Sequence, residues 1–343
     1  MLLFLLAIPA LSQHAEISSE GVTIITDEAN RKADVYIQGR YFTSYIYPSS
    51  LEKPVLFPIT TATGTLITRG FPLDPRSGER VDHPHQVGFW FTYGAVNGLD
   101  FWGNSYAIPD SLKSHYGRIA HQAILKAEGG MDEGMLVVVC QWVDNNNTVL
   151  LNEETTFRFS GSLNERFIIR TTKLTALQEV KFDDSKEGLC ALRVDRAFET
   201  PSDQPEIYTD ASGKTTTVPV LNNTGVNGIY RSSEGKEKDA VWGTRAGWVS
   251  LSAIKDGTEI SICMFDHPKN PGFPAYWHAR GYGLFSVNNL GQKAFNAAEP
   301  ERSTLLKKGE SIVFNHMLWI KSSRFATTGE MNTTMEAFSG TYK

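Results

Sequence analysis

Short alternating runs of apolar and polar residues recur along this chain, and helical periodicity is nearly absent. Leu136 to Val143 (LVVVCQWV) is an apolar run rich in β-branched residues. From Thr155 to Phe159 the period is two, with Phe157 and Phe159 on one face and Arg158 on the other. Gly161 to Asn164 then supplies a turn, and Glu165 to Leu174 returns as the partner strand. Further strands are predicted over Glu259 to Phe265, Tyr282 to Asn288 and Ser311 to Ile320. In the last of these, His316 alternates in phase with Ile312, Phe314, Leu318 and Ile320, which marks it as a hydrogen-bonded core residue. Asn97-Gly98, set between aromatic runs, is a two-residue hairpin signal. Only Gly329 to Phe338 suits a short helix. Many strands at short spacing, punctuated by Gly and Pro, predict an all-β fold built as one large antiparallel β-sandwich. The polar stretches 144–147 and 200–217 do not read as interdomain linkers, so a single domain over residues 13–343 is expected.

The N-terminus departs from this pattern. Met1 to Leu11 is largely apolar, with small residues at Ala10 and Ser12, as before a secretory cleavage site. Residues 1–12 are therefore expected to be a signal peptide, although no basic residue precedes the apolar run. The mature protein is then expected to be periplasmic or secreted from a bacterium. The run falls short of the roughly 20 apolar residues of a membrane span, and no later stretch is long enough. A net charge of −5, without any basic cluster, argues against a nucleic-acid partner. Cys140, Cys190 and Cys263 are odd in number, match no metal or redox spacing and lie in strand-like text, which predicts buried free thiols.

One stretch carries more chemistry than packing requires. Val81 to Trp102 (VDHPHQVGFWFTYGAVNGLDFW) sets Asp82, His83, His85 and Asp100 among Phe89, Trp90, Phe91, Tyr93, Phe101 and Trp102. Buried titratable groups must find partners or cost stability. Aromatic faces beside imidazoles and carboxylates suit a polar ligand with an apolar face, such as a sugar ring. The plainer reading is a hairpin with core aromatics and loop-capping histidines. The tripeptide Asp-His-Pro occurs as Asp82-His83-Pro84 and again as Asp266-His267-Pro268. A carboxylate beside an imidazole can fix its tautomer, yet adjacent residues of an extended chain point opposite ways.

The block DHPHQVGFWFTYGAVNGLDFW resembles the signature of a PmoA-like family of bacterial proteins, in which His-Pro-His leads into Gly-x-Trp-Phe and then Val-Asn-Gly-x-Asp-Phe-Trp. Pro58 to Asp74, Asp183 to Arg193 and Phe265 to Gly291 resemble further blocks of that family. Gln86 and Val87 stand where many relatives carry His and Arg, which puts specificity in doubt. The family takes its name from a methane-oxygenase subunit, an authentic multi-span membrane protein, so no such oxygenase activity is expected of a chain lacking spanning helices. The resemblance implies a β-sandwich of the galactose-mutarotase-like supersandwich type and a carbohydrate ligand.

Mutarotase-like chemistry needs one acid and one base about a sugar, with pKa values drawn toward neutrality. The catalytic candidates are His83, His85, His121, His278, Glu187 and Asp266, with Asp82 and Asp184 as further carboxylate partners. Trp90, Trp102 and Trp277 are candidates for stacking on a pyranose. Asn97, Asp100, Arg193 and Arg280 are candidates for hydrogen bonds to hydroxyls or a uronate. Such an enzyme would be an isomerase, lyase or hydrolase. Two other readings stay open. No cofactor is expected, but the i, i+2 spacing of His83 and His85 would set both imidazoles on one face of an extended chain, where a divalent metal could bind. A non-catalytic carbohydrate-binding module would need the aromatics and amides without the acid and base.

Overall fold

The computed structural model describes residues 17–341, so the proposed leader over residues 1–12 lies outside the described residues. The first strands are β1 (Val22–Asp27), β2 (Lys32–Ile37), β3 (Arg40–Ile46), β4 (Val55–Ile59), β5 (Phe89–Tyr93) and β6 (Arg118–Glu128). The middle of the chain forms β7 (Gly134–Val143), β8 (Val149–Gly161), β9 (Glu165–Ala176), β10 (Val180–Phe182), β11 (Gly188–Arg193) and β12 (Ile229–Ser232). Then follow β13 (Trp248–Lys255), β14 (Thr258–Asp266), β15 (Tyr276–Arg280), β16 (Leu284–Asn288), β17 (Thr304–Leu306) and β18 (Ser311–Ser322).

Two eight-stranded sheets result, in the orders β1-β2-β3-β4-β5-β11-β16-β15 and β12-β13-β14-β18-β9-β8-β7-β6, with a small β10-β17 pair beside them. Neighbours pair antiparallel throughout, as in the hairpin joining β8 to β9, where Phe159 faces Ile168. The two sheets share one core, because each strand sends alternate residues inward. Phe89, Phe91 and Tyr93 of β5 enter it with Leu136, Val138 and Trp142 of β7 and with Phe314 and Leu318 of β18. The fold is therefore the single-domain all-β sandwich expected from the alternation. His316 is 1% exposed and bonds Asn289 Oδ1 through Nε2 at 2.9 Å, as its phase predicted. The three cysteines are buried free thiols.

The expected helix forms as α1 (Thr328–Ser339). Thr327 caps its N-terminus reciprocally with Glu330, the arrangement that satisfies two orphan amides at once. Its Met331 and Phe338 cover Trp248, Phe265 and Trp319 on the outer face of the second sheet. No described helix is long and apolar enough to cross a membrane.

The outer face of the first sheet is covered instead by loops. The residues of β5 and β11 that alternate away from the core, Trp90 and Ala191, join Val87, Trp102 and Leu284 in a second apolar cluster, with Tyr282 packed against it. Register aligns Trp90 with Ala191, Ala191 with Ser286 and Ser286 with His278. A row of side chains thus crosses four strands on one face, and the loops around it bring in charge.

Candidate functional site

Asp82 anchors the loop that precedes β5. Its Oδ1 accepts from Arg69 Nη1 and from Arg193 Nη2, each at 2.6 Å, and both arginines are almost wholly buried. Arg69 also donates to the carbonyls of His83 and Gln86, both at 3.0 Å, and Arg193 Nη1 donates to Gln86 Oε1 at 2.5 Å. Burial would raise the Asp82 pKa, but Arg193, the bond to His83 and Arg69 hold it well below the usual carboxylate range. Gln86, at a position where the resemblance pointed to histidine, thus gives Arg193 a second side-chain acceptor beside Asp82.

The remaining Asp82 oxygen, Oδ2, accepts from His83 Nδ1 at 2.9 Å. Adjacent residues meet here because His83 has φ +43, in the left-handed region, where a non-glycine residue is strained by about 1–3 kcal/mol. The Arg69 bond to the His83 carbonyl and a parallel stack on Tyr282, with ring centroids 4.9 Å apart, offset that strain. A bond from Nδ1–H to the carboxylate leaves Nε2 as the proton acceptor. The side chain is 40% exposed, so Nε2 is within reach of a ligand.

His278, by contrast, has both nitrogens engaged. Nδ1 lies 3.1 Å from the Lys186 carbonyl, and Nε2 receives Arg280 Nε at 3.2 Å. The carbonyl can only accept, so Nδ1 carries the hydrogen and the ring is neutral. Burial, then the Arg280 charge, lower its pKa to about 3, in agreement with that tautomer. Glu187, one residue beyond Lys186, places Oε2 3.9 Å from His278 Nδ1 and is about a third exposed. Burial raises the Glu187 pKa, opposed by Lys186, while Asp100 raises it further and His83 and Arg280 lower it. These four groups therefore act on one carboxyl. Asp100 is itself pushed up by burial, against the backbone N–H groups of Gly103 and Trp102 and the charge of Lys53.

His85 sits edge-on to His83, with ring centroids 5.6 Å apart, and burial followed by the Lys53 charge lowers its pKa to about 2. Trp90 and Trp102 pack together at 5.3 Å, and Trp102 lies parallel to His278 at 6.5 Å. Trp90 Nε1 is buried without a partner among the described residues. Arg280 also lies over Trp242, 4.9 Å from its ring, and with Tyr282 it borders a cleft of about 580 Å³.

Nine predicted site residues thus share the outer face of the first sheet or its covering loops: His83, His85, Trp90, Asp100, Trp102, Glu187, Arg193, His278 and Arg280. Four others do not. Asp266 is fully buried and accepts from Asn270, Asn289 and the Ala275 amide, a structural network in which burial raises its pKa to about 6. Trp277 alternates into the core between the sheets, where Nε1 donates to the Ala246 carbonyl at 2.9 Å. Asn97 has φ +50 in the hairpin turn and pins it to the Glu179 carbonyl and the Lys181 amide. His121 lies on β6 of the second sheet, bonded through Nδ1 to the Tyr45 hydroxyl at 2.9 Å. Asp184 is likewise structural, since its carboxylate accepts from four backbone amides, including those of Gln292 and Arg302.

Sequence reasoning missed Arg69, Lys53 and Tyr282. No motif marks Arg69 or Lys53. Tyr282 was assigned to a strand, but β16 begins two residues later and Tyr282 occupies the turn before it. Among the described residues, no group of three or more His, Cys, Asp or Glu side chains could hold a metal ion. His83 and His85 do not present parallel imidazoles, because the φ of His83 breaks the extended geometry that the i, i+2 argument assumed.

Residues 32–336 match the family of unknown function DUF6807. The chain belongs to that family. This corrects the PmoA-like identification, which rested on blocks inside the matched region. No curated protein matches the DUF6807 chain. Solved structures similar to it include galactose 1-epimerase from Lactobacillus acidophilus NCFM, at 9% identity and TM-score 0.38 over 88% of this chain and 98% of that one. A galactose mutarotase-like protein from Clostridium acetobutylicum is similar at 10% identity and TM-score 0.35, over 88% and 98%. The galactosidase domain of the alpha-galactosidase-sucrose kinase AgaSK is similar at 9% identity and TM-score 0.40, over 88% and 42%.

Proposed function

We propose that this face binds a carbohydrate and moves a proton on it, with His83 as base and Glu187 as acid. The observation that carries the reading is the Asp82–His83 pair beside Glu187: an imidazole whose tautomer is set by a carboxylate, and a half-open carboxyl whose pKa is raised. A carboxylate-anchored imidazole beside a desolvated carboxyl is a pairing that acid and base catalysis can use. Tyr282, partly exposed, is an aromatic contact for a sugar ring, while Arg280 offers donors to hydroxyls. His278 is a positioning residue here, because it holds the Lys186 carbonyl and Arg280 and has no nitrogen left to exchange a proton. Export belongs to the same reading, supported by the apolar run before Ser12; an intact Met1 in the native protein would count against it.

The test is a thermal-shift screen of the purified protein against neutral sugars and uronates, followed by NMR of each hit for a changed carbon or anomer. Wild type should bind and convert a sugar. Glu187→Gln and His83→Gln should still bind it but turn over ~10²–10⁴-fold more slowly. Binding without turnover in wild type would favour a non-catalytic sugar-binding module. Activity lost to chelator and restored by a divalent ion would favour metal chemistry. Full turnover in Glu187→Gln would end the proposal.

A further inference from the structure

A second cleft, of about 510 Å³, opens between the Tyr47–Pro54 segment and β6 of the opposite sheet. Arg31, Lys53, Arg118 and His121 line it, and Glu52 is the only carboxylate on its walls. Glu52 is already committed to Lys113, 3.3 Å away. The cleft therefore carries three cationic side chains, Arg31, Lys53 and Arg118, against one carboxylate.

The arrangement of these groups is built rather than incidental. Tyr47 is sandwiched: His121 stacks on it at 3.8 Å, and the Arg31 guanidinium lies 5.4 Å from its ring. Arg31 is fixed by Nε, which donates to the Tyr47 carbonyl at 2.8 Å, so its terminal nitrogens are left to a ligand. Arg118 spends one terminal nitrogen on Asn147 Oδ1 at 2.6 Å. Lys53 is only 4% exposed and donates to the His85 carbonyl at 2.8 Å, yet no ion pair among the described residues includes it. Burying an ammonium is costly, and the charges of Asp100 and Glu52 only partly offset it. Burial lowers its pKa to about 8, which still leaves it mostly charged at pH 7.

His121 fits the same chemistry. Burial, then the Arg31 charge, lower its pKa to about 4, so the ring is neutral. Nδ1 bonds the Tyr45 hydroxyl, which also meets Cys140 Sγ at 3.6 Å, so Nε2 is the ring nitrogen left for a ligand. The two guanidinium groups and the ammonium that line the cleft with this ring offer an anion several hydrogen bonds. Both faces of Tyr47 are taken, so a ligand ring has no surface to stack on.

We propose that this cleft is an oxyanion-binding site, separate from the sugar face, where Arg31, Arg118 and His121 receive a sulfate or carboxylate and Lys53 supplies the buried charge. The inference does not depend on the function proposed for the Glu187 face. It is tested by calorimetric titration of the full chain in dilute buffer with sodium sulfate, with glucuronate and with glucose as the neutral control. Sulfate, glucuronate or both should bind, and the Arg31→Gln/Arg118→Gln double variant should weaken that binding roughly tenfold or more. Glu187→Gln should leave it unchanged. Sulfate alone would mark a site for a free inorganic oxyanion, and tighter glucuronate binding a site for an acidic sugar. Both arginines are exposed, so the double variant should melt like wild type without ligand. Failure of both anions to bind, or equal binding by the double variant, would overturn the proposal.

Discussion

Arg193 and Asp82, 111 residues apart in sequence, meet at 2.6 Å on the outer face of the first sheet. Arg193 is fixed by its strand and Asp82 lies on a loop, so this contact, with those of Arg69 and the Tyr282 stack, sets where His83 stands. The carboxylate serves two buried guanidinium groups and one imidazole together. Replacing it with an amide removes the charge and leaves Arg69 and Arg193 without their shared anion.

Asp82→Asn should therefore destabilise the fold by about 3 kcal/mol, within the usual cost of breaking a buried pair from one side. The depressed Asp82 pKa sets the sign with pH. Its contribution is present above the unfolded carboxyl value near ~3.9 and is lost as pH falls toward its folded value. Urea denaturation of both proteins at pH 7 gives the difference; equal midpoints would show that the Arg–Asp–Arg cluster adds nothing.

Aromatic residues on opposite sides of the first sheet should behave differently. Trp277→Ala opens a cavity in the shared core and should cost about 3–5 kcal/mol of stability. Tyr282→Ala, at the edge of the sugar face, should weaken ligand binding with a smaller effect on the melt. Parallel melting and binding measurements separate the two, and a Trp277 variant of normal stability but poor binding would contradict the placement.

Four histidines are held neutral by burial, with pKa values lowered to about 2 for His85, about 3 for His278 and His316, and about 4 for His121. Each unfolded histidine takes a proton near pH ~6.5, so their stabilising contribution is full above that value and is lost as pH falls. Asp266, raised to about 6, acts oppositely: its contribution is present below the unfolded carboxyl value and lost as pH rises through 6. Asp100, Glu187 and Glu199, also raised by burial, act with Asp266 and reduce the slope set by the histidines. Stability should drop between pH 6.5 and 4.5, with each histidine adding at most ~1.4 kcal/mol per pH unit. His316→Gln should flatten the slope measured by denaturation across that range.

Asn97→Ala should lower stability by about 1 kcal/mol, since it removes two hydrogen bonds at a residue with positive φ. It should leave sugar binding untouched. A binding defect in a stable Asn97 variant would return that residue to the site.

Much of this architecture was legible in the order of residues alone. The apolar and alternating runs predicted β7, β9, β14 and β18 to within about two residues of their ends and only the later half of β8, and the phase of the last placed His316 in the core. Alternation reports which residues share a face, because successive side chains of a strand point opposite ways. It does not report which face meets the other sheet. Trp90 and Trp277 therefore looked equivalent as text, and only the packing of two sheets sent one to the outer face of the first sheet and the other into the core. Asp82-His83-Pro84 and Asp266-His267-Pro268 were indistinguishable for the same reason. A left-handed turn joined Asp82 to His83, whereas full burial gave Asp266 to asparagines. Lys53 carried no sequence signal, since a lysine beside proline and glutamate reads as a solvated turn. Its burial beneath two loops, and with it the charge balance of both clefts, exists only in three dimensions. Local backbone geometry is written in neighbouring residues; desolvation and charge pairing depend on groups up to hundreds of positions away.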